Sequence, residues 1–208
     1  MRPLPMRRAV LMAGALTMTA AAPAAAQTEA TVATVGVGEK RMHVRAGERA
    51  RVAGVAQPAA AGHVAELQVW RRGRWRTLDR DRTAASGRYA LRDRMRSTMS
   101  APARVKVAGV TRRLGRLNVY RSAYASWYGP GLYGNRLGCG GTLSAGTVGV
   151  AHKSLPCGSK LMLRHRGRTV KVRVIDRGPY VGGREYDLTE ATARKLRFRG
   201  HGSILTTR

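Results

Sequence analysis

The second half of this chain is marked by the stretch VIDRGPY, Val174 to Tyr180, which predicts where a strand ends and where acid–base chemistry can occur. An apolar, β-prone run over residues 169–175 stops at an acid and a glycine–proline turn. This pattern predicts a strand that ends at Asp176. The acid stands out because no aspartate or glutamate occurs from Arg94 to Ile175. We therefore expect Asp176 to carry acid–base chemistry in this half, with turn capping or pairing to Arg177 as the structural alternative.

The other acids of this half are Glu185, Asp187 and Glu190. Asp187-Leu188-Thr189-Glu190 matches a capping box, with Asp187 as N-cap of a short helix that ends near Leu196. Asp187 is also a candidate catalytic residue, although the N-cap role alone would explain it. His152 is a third candidate, able to orient a substrate or polarise an acid; a purely structural histidine is the alternative.

The amino terminus has the pattern of a secretory signal peptide over residues 1–26. Three arginines precede an apolar run, and Ala24-Ala25-Ala26 offers a small-residue cleavage site. Arg7-Arg8 also permits a twin-arginine export route. We expect an exported protein, located in the periplasm, at the cell wall or outside the cell, without a membrane span.

The charge balance is strongly basic. The chain has 39 Lys+Arg against 11 Asp+Glu, a formal net charge of +28. In an exported protein this charge favours anionic wall polymers over nucleic acid as partners. A GC-rich genome is the alternative explanation, since few of the basic residues are lysines. No oligomer is expected.

Cys139 and Cys157 are the only cysteines. An even number in an exported chain favours a disulfide. A structural zinc site would need four ligands, and only His152 lies between the two cysteines. We therefore expect neither a metal nor a cofactor.

The first half reads as short strands over residues 65–70, 75–78 and 88–91 and around Val105, without sustained helical periodicity. We predict an all-β chain: a flexible leader at 27–40, an immunoglobulin-like β-sandwich at 41–117, and a second domain at 118–208. In that domain, strands are expected at 124–128, 160–165, 169–175 and 203–207, with a glycine-rich loop at 129–146.

Four motifs of the second domain resemble the rare lipoprotein A family. In order they are Ala125-Ser126-Trp127-Tyr128-Gly129, then Ala151-His152-Lys153-Ser154-Leu155-Pro156, then residues 174–179, and finally Tyr186-Asp187-Leu188-Thr189. The resemblance covers about 85 residues. It implies a six-stranded double-psi β-barrel with one short helix, which binds peptidoglycan glycan strands. In some members it also implies lytic transglycosylase activity, whereas the related expansins loosen wall polymers without evident hydrolysis.

Candidate substrate-binding residues follow from this resemblance and from their chemistry. Aromatic rings stack on sugar faces, and guanidinium groups bind sugar hydroxyls and carboxylates. The set is Trp127, Tyr128, Tyr133, Arg177 and Tyr180, with a place in the core as the alternative for one or two of the aromatic residues.

One position departs from the family. Active members tend to carry a glutamate in the loop before the Ala-His-Lys motif, and the matching position is Gly141. This departure weakens the case for an enzyme: either Asp176 suffices, or the barrel binds glycan without cleaving it. From the four motifs we still expect a lytic transglycosylase that acts through Asp176, with a non-catalytic, expansin-like binding module as the alternative. A purely structural wall protein is a third hypothesis.

Overall fold

The computed structural model describes residues 31–208, and the predicted signal peptide lies outside them. The described residues form thirteen strands and one helix. In chain order these are β1 Thr34–Arg41, β2 His43–Arg45, β3 Arg49–Gln57, β4 Val64–Arg71, β5 Arg74–Arg82, β6 Arg88–Arg94, β7 Met99–Val107, β8 Val110–Tyr128, β9 Val150–Ala151, β10 Lys160–His165, β11 Arg168–Asp176, β12 Tyr186–Thr189, α1 Glu190–Leu196 and β13 Gly202–Thr206. Within residues 31–208 no helix is long and apolar enough to cross a membrane.

The first half is a sandwich of two sheets. One sheet has the order β1-β3-β6, and the other has β5-β4-β7-β8 with β2 added along β8. In β7 alternate residues are buried, which is the period expected of a strand with one face on a core. Residues of both sheets share one apolar cluster, for example Val52 and Leu67, both fully buried. The predicted sandwich is therefore present, and its immunoglobulin-like topology stays a prediction.

The flexible leader predicted for residues 27–40 is wrong from Thr34 onward. Strand β1 pairs antiparallel with β3 from Thr34↔Gln57 to Arg41↔Arg51, and Val35 is buried in the core. Val35 and Val37 alternate with glycines, which have low strand propensity, and the register shifts between Val37 and Glu39 before the charged end of the strand, so its signal in the sequence is weak.

Strand β8 continues from the sandwich into the second half without a linker. Its first part pairs with β7, and its last part pairs with β13 and β12. The boundary predicted between residues 117 and 118 lies inside this strand. The first apolar core extends to Val119 and the second begins at Ala123.

The second half is a closed barrel of six strands, as predicted. The hydrogen-bonded order is β8-β13-β10-β11-β9-β12, and β12 closes the ring by pairing with β8. Two pairings, β12 with β8 and β11 with β9, are parallel. The interior is filled by alternate apolar residues such as Leu163, Val174 and Leu188.

The short helix ends at Leu196 as predicted, but its predicted capping box is wrong. The N-cap is Thr189, whose side-chain oxygen accepts a hydrogen bond from the Thr192 backbone N–H. Asp187 lies in β12, where it pairs with Ser126 of β8. Strand pairing therefore continues past the residue that the local sequence pattern marks as the cap.

Candidate active site

Asp176 lies at the end of β11, with its carboxylate held by three donors. Its Oδ1 accepts hydrogen bonds from the backbone N–H groups of Gly138, at 2.7 Å, and Arg177, at 2.8 Å. Its Oδ2 accepts one from the Tyr128 hydroxyl at 3.2 Å. The two amides orient the carboxylate and occupy Oδ1. Oδ2 is therefore the oxygen with capacity to exchange a proton with a bound molecule.

The close approach of the glycine-rich loop to Asp176 requires a glycine at position 138. A Cβ there would lie 3.1 Å from Asp176 Oδ1 and 2.9 Å from Arg177 Cγ. Without a side chain, the Gly138 N–H can come within hydrogen-bonding distance of the acid. The loop thus supplies a fixed backbone dipole to the carboxylate.

The predicted disulfide between Cys139 and Cys157 is confirmed, with the two Cα atoms 5.5 Å apart. The Cys139 N–H also donates to the carbonyl of Ile175, which fastens the loop beside the end of β11. The Arg177 guanidinium donates to the carbonyls of His152 and Leu155 and lies 2.8 Å from Cys157 Sγ. Arg177 is thus engaged by the protein's own groups, and these contacts support a positioning role for it.

Asp187 and Asp176 belong to one row of residues that runs across four neighbouring strands. Asp176 pairs with Ala151, Ala151 with Asp187, and Asp187 with Ser126. Adjacent strands are about 4.8 Å apart, so the two acids lie roughly 10 Å apart along this row. The Ser126 hydroxyl donates to Asp187 Oδ1, and Arg184 in turn donates to that hydroxyl at 3.1 Å.

Tyr128 contacts Asp176 through its hydroxyl and also feels the charge of Asp187. Burial raises the pKa of its hydroxyl well above the usual value, and the negative charge and hydrogen bond of Asp176 raise it further. The charge of Asp187 acts in the same direction. The Tyr128 hydroxyl therefore stays protonated and serves as a hydrogen-bond donor to Asp176.

The side chain of His152 belongs to a second cluster, with Glu185, Arg121 and Tyr186. His152 Nδ1 accepts the backbone N–H groups of Ser154 and Leu155, at 3.1 and 3.0 Å. In the neutral ring the proton is therefore on Nε2, which lies 3.7 Å from Glu185 Oε1. The link to Asp176 is through the backbone, since the His152 N–H donates to the Asp176 carbonyl at 3.1 Å.

The protonation states of this cluster follow from burial and from Arg121. Burial lowers the pKa of His152, although the nearby Glu185 carboxylate partly opposes it. Hydrogen bonds from Arg121 lower the pKa of Glu185, so this acid is ionised at neutral pH. The cluster is therefore a neutral histidine beside a fixed arginine–glutamate pair. Reasoning from the sequence did not select Arg121 or Glu185, because they are 64 positions apart.

The aromatic candidates are not gathered on one surface. Tyr128 contacts Asp176, whereas strand alternation places Trp127 on the opposite face of β8, where it is partly exposed. The Tyr133 hydroxyl donates to Glu190 at the start of α1. Tyr180 is 82% exposed just after the Gly178-Pro179 turn, four residues beyond Asp176 in the chain. Of the aromatic candidates, Tyr128 is therefore the one in contact with Asp176, and Tyr180 is the one nearest to it in sequence.

Gly141 sits in the turn that carries Gly138. Its φ of +83° is a left-handed conformation that favours glycine, and a Cβ at this position would meet no atom within 4 Å. There is room for a longer side chain here, at some cost in backbone strain.

The second half is similar to known proteins. Residues 120–206 match the family model described as lytic transglycolase. A probable endolytic peptidoglycan transglycosylase RlpA of Synechocystis is 34% identical over 108 residues, which are 50% of this chain and 34% of the relative. One from Aquifex aeolicus is 43% identical over 79 residues, covering 37% and 35%. The RlpA of Campylobacter jejuni, an endolytic peptidoglycan transglycosylase, is 40% identical over 74 residues, covering 35% and 27%.

The chain thus spans about a third of the length of these curated relatives. Among solved structures, the Streptomyces papain inhibitor aligns with 43% of this chain and 94% of its own, at 21% identity and a TM-score of 0.33.

Proposed function

Residues 120–206 form a domain of the RlpA-like double-psi β-barrel family, and on this premise we propose that the protein is an extracytoplasmic lytic transglycosylase that cleaves peptidoglycan glycan strands. The observation that carries the proposal is the Asp176 carboxylate. Two backbone amides fix its Oδ1, and within residues 31–208 its Oδ2 accepts a hydrogen bond from the Tyr128 hydroxyl alone. The Cys139–Cys157 disulfide is consistent with an oxidising compartment.

The proposed reaction needs one carboxyl group. Protonated Asp176 gives its Oδ2 proton to the glycosidic oxygen as the bond from that oxygen to C1 breaks. The C6 hydroxyl of the same muramic acid residue then attacks C1, and its proton passes to Oδ2. The product is a 1,6-anhydro sugar end, and Asp176 is protonated again. No water is activated, so a second catalytic acid is not required by the stoichiometry.

The neighbours of Asp176 have distinct proposed roles. The Tyr128 hydroxyl donates to Oδ2 when the acid is ionised and turns to accept when it is protonated. Asp187, two strands away in the same row, is proposed to stabilise positive charge that develops at C1 or to bind a sugar hydroxyl. His152, whose buried ring faces Glu185, is proposed to position the end of β11 through the hydrogen bond from its backbone N–H to the Asp176 carbonyl. Trp127, Tyr133 and Tyr180 are proposed to contact sugar rings away from the reacting bond.

A non-catalytic, expansin-like binding module is the second candidate function. One feature favours it: the family resemblance predicts a glutamate at the position of Gly141, which has no side chain and no atom within 4 Å of its Cβ position. In this reading Asp176 and Asp187 bind glycan hydroxyls without proton transfer.

The two candidates are separated by measuring product and binding in the same samples. The purified protein is incubated with glycan strands freed of stem peptides, and 1,6-anhydro ends are counted by mass spectrometry. Co-sedimentation with sacculi measures binding. The proposal expects both anhydro ends and binding. Binding without anhydro ends would establish the expansin-like alternative, and absence of both would leave a structural role.

A further inference from the structure

A basic cleft lies between the sandwich and the barrel, away from Asp176. It has a volume of about 530 Å³ and is bordered by the β4–β5 hairpin, β7 and β8 on one side and by β10, β11 and the final residues on the other. Its cationic side chains are Arg71, Arg72, Arg116, Lys160, Lys171 and Arg208. No aspartate or glutamate side chain is among the residues that line it.

The positive charge of the cleft is not neutralised by neighbours. Among residues 31–208, the ion pairs involve Arg41, Arg80, Arg121, His152 and Arg194, none of which lines the cleft. Arg116 is held in place by neutral partners instead, since it donates to the hydroxyl and the carbonyl of Ser100 at 2.9 and 2.6 Å. Concentrated charge of one sign in a concave surface attracts counter-ions and polyanions.

The walls of the cleft present these cations outward from both domains. In β10 and β11 the apolar residues Leu161 and Val172 fill the barrel, so Lys160 and Lys171 point to the outside by strand alternation. Arg71 follows Trp70 at the tip of the β4–β5 hairpin. A ligand in the cleft would therefore touch both domains at once.

Trp70 adds an aromatic surface to this charged cleft. It is 42% exposed although it packs edge-on against Trp75, with ring centroids 5.4 Å apart. An exposed indole face beside guanidinium groups suits a sugar ring that carries an acidic group. A single stacking ring fits one sugar better than a nucleic-acid strand, whose successive bases use several aromatic side chains.

We propose that this cleft binds an anionic glycan, a polymer whose sugars or polyols carry phosphate or carboxylate groups. The cations bind the acidic groups, and Trp70 stacks on a sugar ring. The site is separate from Asp176 and does not depend on the proposed cleavage reaction. It gives the sandwich a function and holds the barrel close to the wall polymers.

Two charge-matched variants of the whole protein test this proposal. The cleft variant is Arg71→Gln/Lys160→Gln/Lys171→Gln. The control is Arg88→Gln/Arg112→Gln/Arg199→Gln, three exposed arginines outside the cleft. The three cleft cations make no side-chain hydrogen bond to another residue of 31–208, so the variant should fold, which thermal unfolding checks. Binding is measured by microscale thermophoresis with poly(glycerol phosphate), polygalacturonate, neutral dextran and duplex DNA.

We expect poly(glycerol phosphate) or polygalacturonate to bind, and the tighter of the two identifies the anion. The cleft variant should lose about tenfold or more in affinity, because charge-assisted hydrogen bonds are removed, and the control much less. Trp70→Ala should weaken glycan binding at unchanged net charge, and Asp176→Asn should bind as the parent does. Equal losses in the two charge variants, or no loss in either, would overturn the proposal. Tighter, cleft-dependent binding of DNA than of both glycans would also overturn it.

Discussion

Replacing Gly138 with alanine tests whether the glycine-rich loop positions the Asp176 carboxylate. The new Cβ would lie 2.9 Å from Arg177 Cγ and 3.1 Å from Asp176 Oδ1, both closer than ordinary contacts. The loop must therefore retreat by about 0.5 Å, which stretches the 2.7 Å bond from the Gly138 N–H toward the limit of a hydrogen bond.

The expected magnitude follows from that hydrogen bond. Hydrogen bonds to charged groups contribute about 1.5–3 kcal/mol. If this bond fixes the reacting acid, its loss lowers the rate roughly ten- to hundredfold, since about 1.4 kcal/mol changes a rate tenfold. The assay is the initial rate of formation of 1,6-anhydro ends from stem-peptide-free glycan, with the unfolding temperature measured in parallel.

Gly146→Ala is the matched control, because it lies in the same loop and its Cβ would approach no atom closer than Ser144 Oγ at 4.0 Å. This variant should cleave at the parent rate. If Gly138→Ala cleaves as fast as Gly146→Ala, the loop amide does not position the acid and this reasoning is refuted.

Two further predictions concern stability. Cys139→Ser removes a cross-link between residues 18 positions apart, which should lower the free energy of unfolding, measured by urea titration, by about 3 kcal/mol. Reduction of the parent disulfide should lower it by the same amount. An unchanged free energy of unfolding would show that the disulfide does not constrain the unfolded chain. Arg121 lowers the pKa of Glu185 below its ordinary 4.5, so the stability that this carboxylate contributes is present above pH 4.5 and is lost as the pH falls through its folded value. Glu185→Gln should make the free energy of unfolding depend less on pH on the acid side, and it should lower the pKa of His152 further, which NMR measures. Glu48→Gln, the control, removes an exposed carboxylate of the sandwich and should leave the His152 titration unchanged. An unaltered His152 titration in Glu185→Gln would contradict the proposed cluster.

The strands of the barrel could be predicted from the sequence because their signals are local. Strand β10 was expected at residues 160–165 and is observed there, and β11 ends at Asp176 as its apolar run and turn indicate. The short helix was also predicted, but its cap was not. Asp187 belongs to β12 because β12 pairs in parallel with β8, and a local capping motif cannot reveal pairing with a strand about 60 residues earlier.

The partners of Asp176 could not be predicted because they come from distant parts of the chain. Gly138 is 38 positions away and Tyr128 is 48 positions away, and only barrel closure brings them to the acid. The cluster around His152 depends in the same way on Arg121 at the start of the barrel part of β8. Sequence reasoning found the acid itself from its motif, and the fold supplied the residues that hold it.

The rate at which Asp176→Asn forms 1,6-anhydro ends measures whether Asp176 is the catalytic acid. Asp93→Asn is the matched control, since it makes the same chemical change in the sandwich, away from the barrel. We expect Asp176→Asn to retain its fold and its binding to sacculi but to form anhydro ends at least about a hundredfold more slowly than the parent, in the range of general acid–base catalysis. Cleavage by Asp176→Asn at the rate of Asp93→Asn would show that Asp176 is not the catalytic acid.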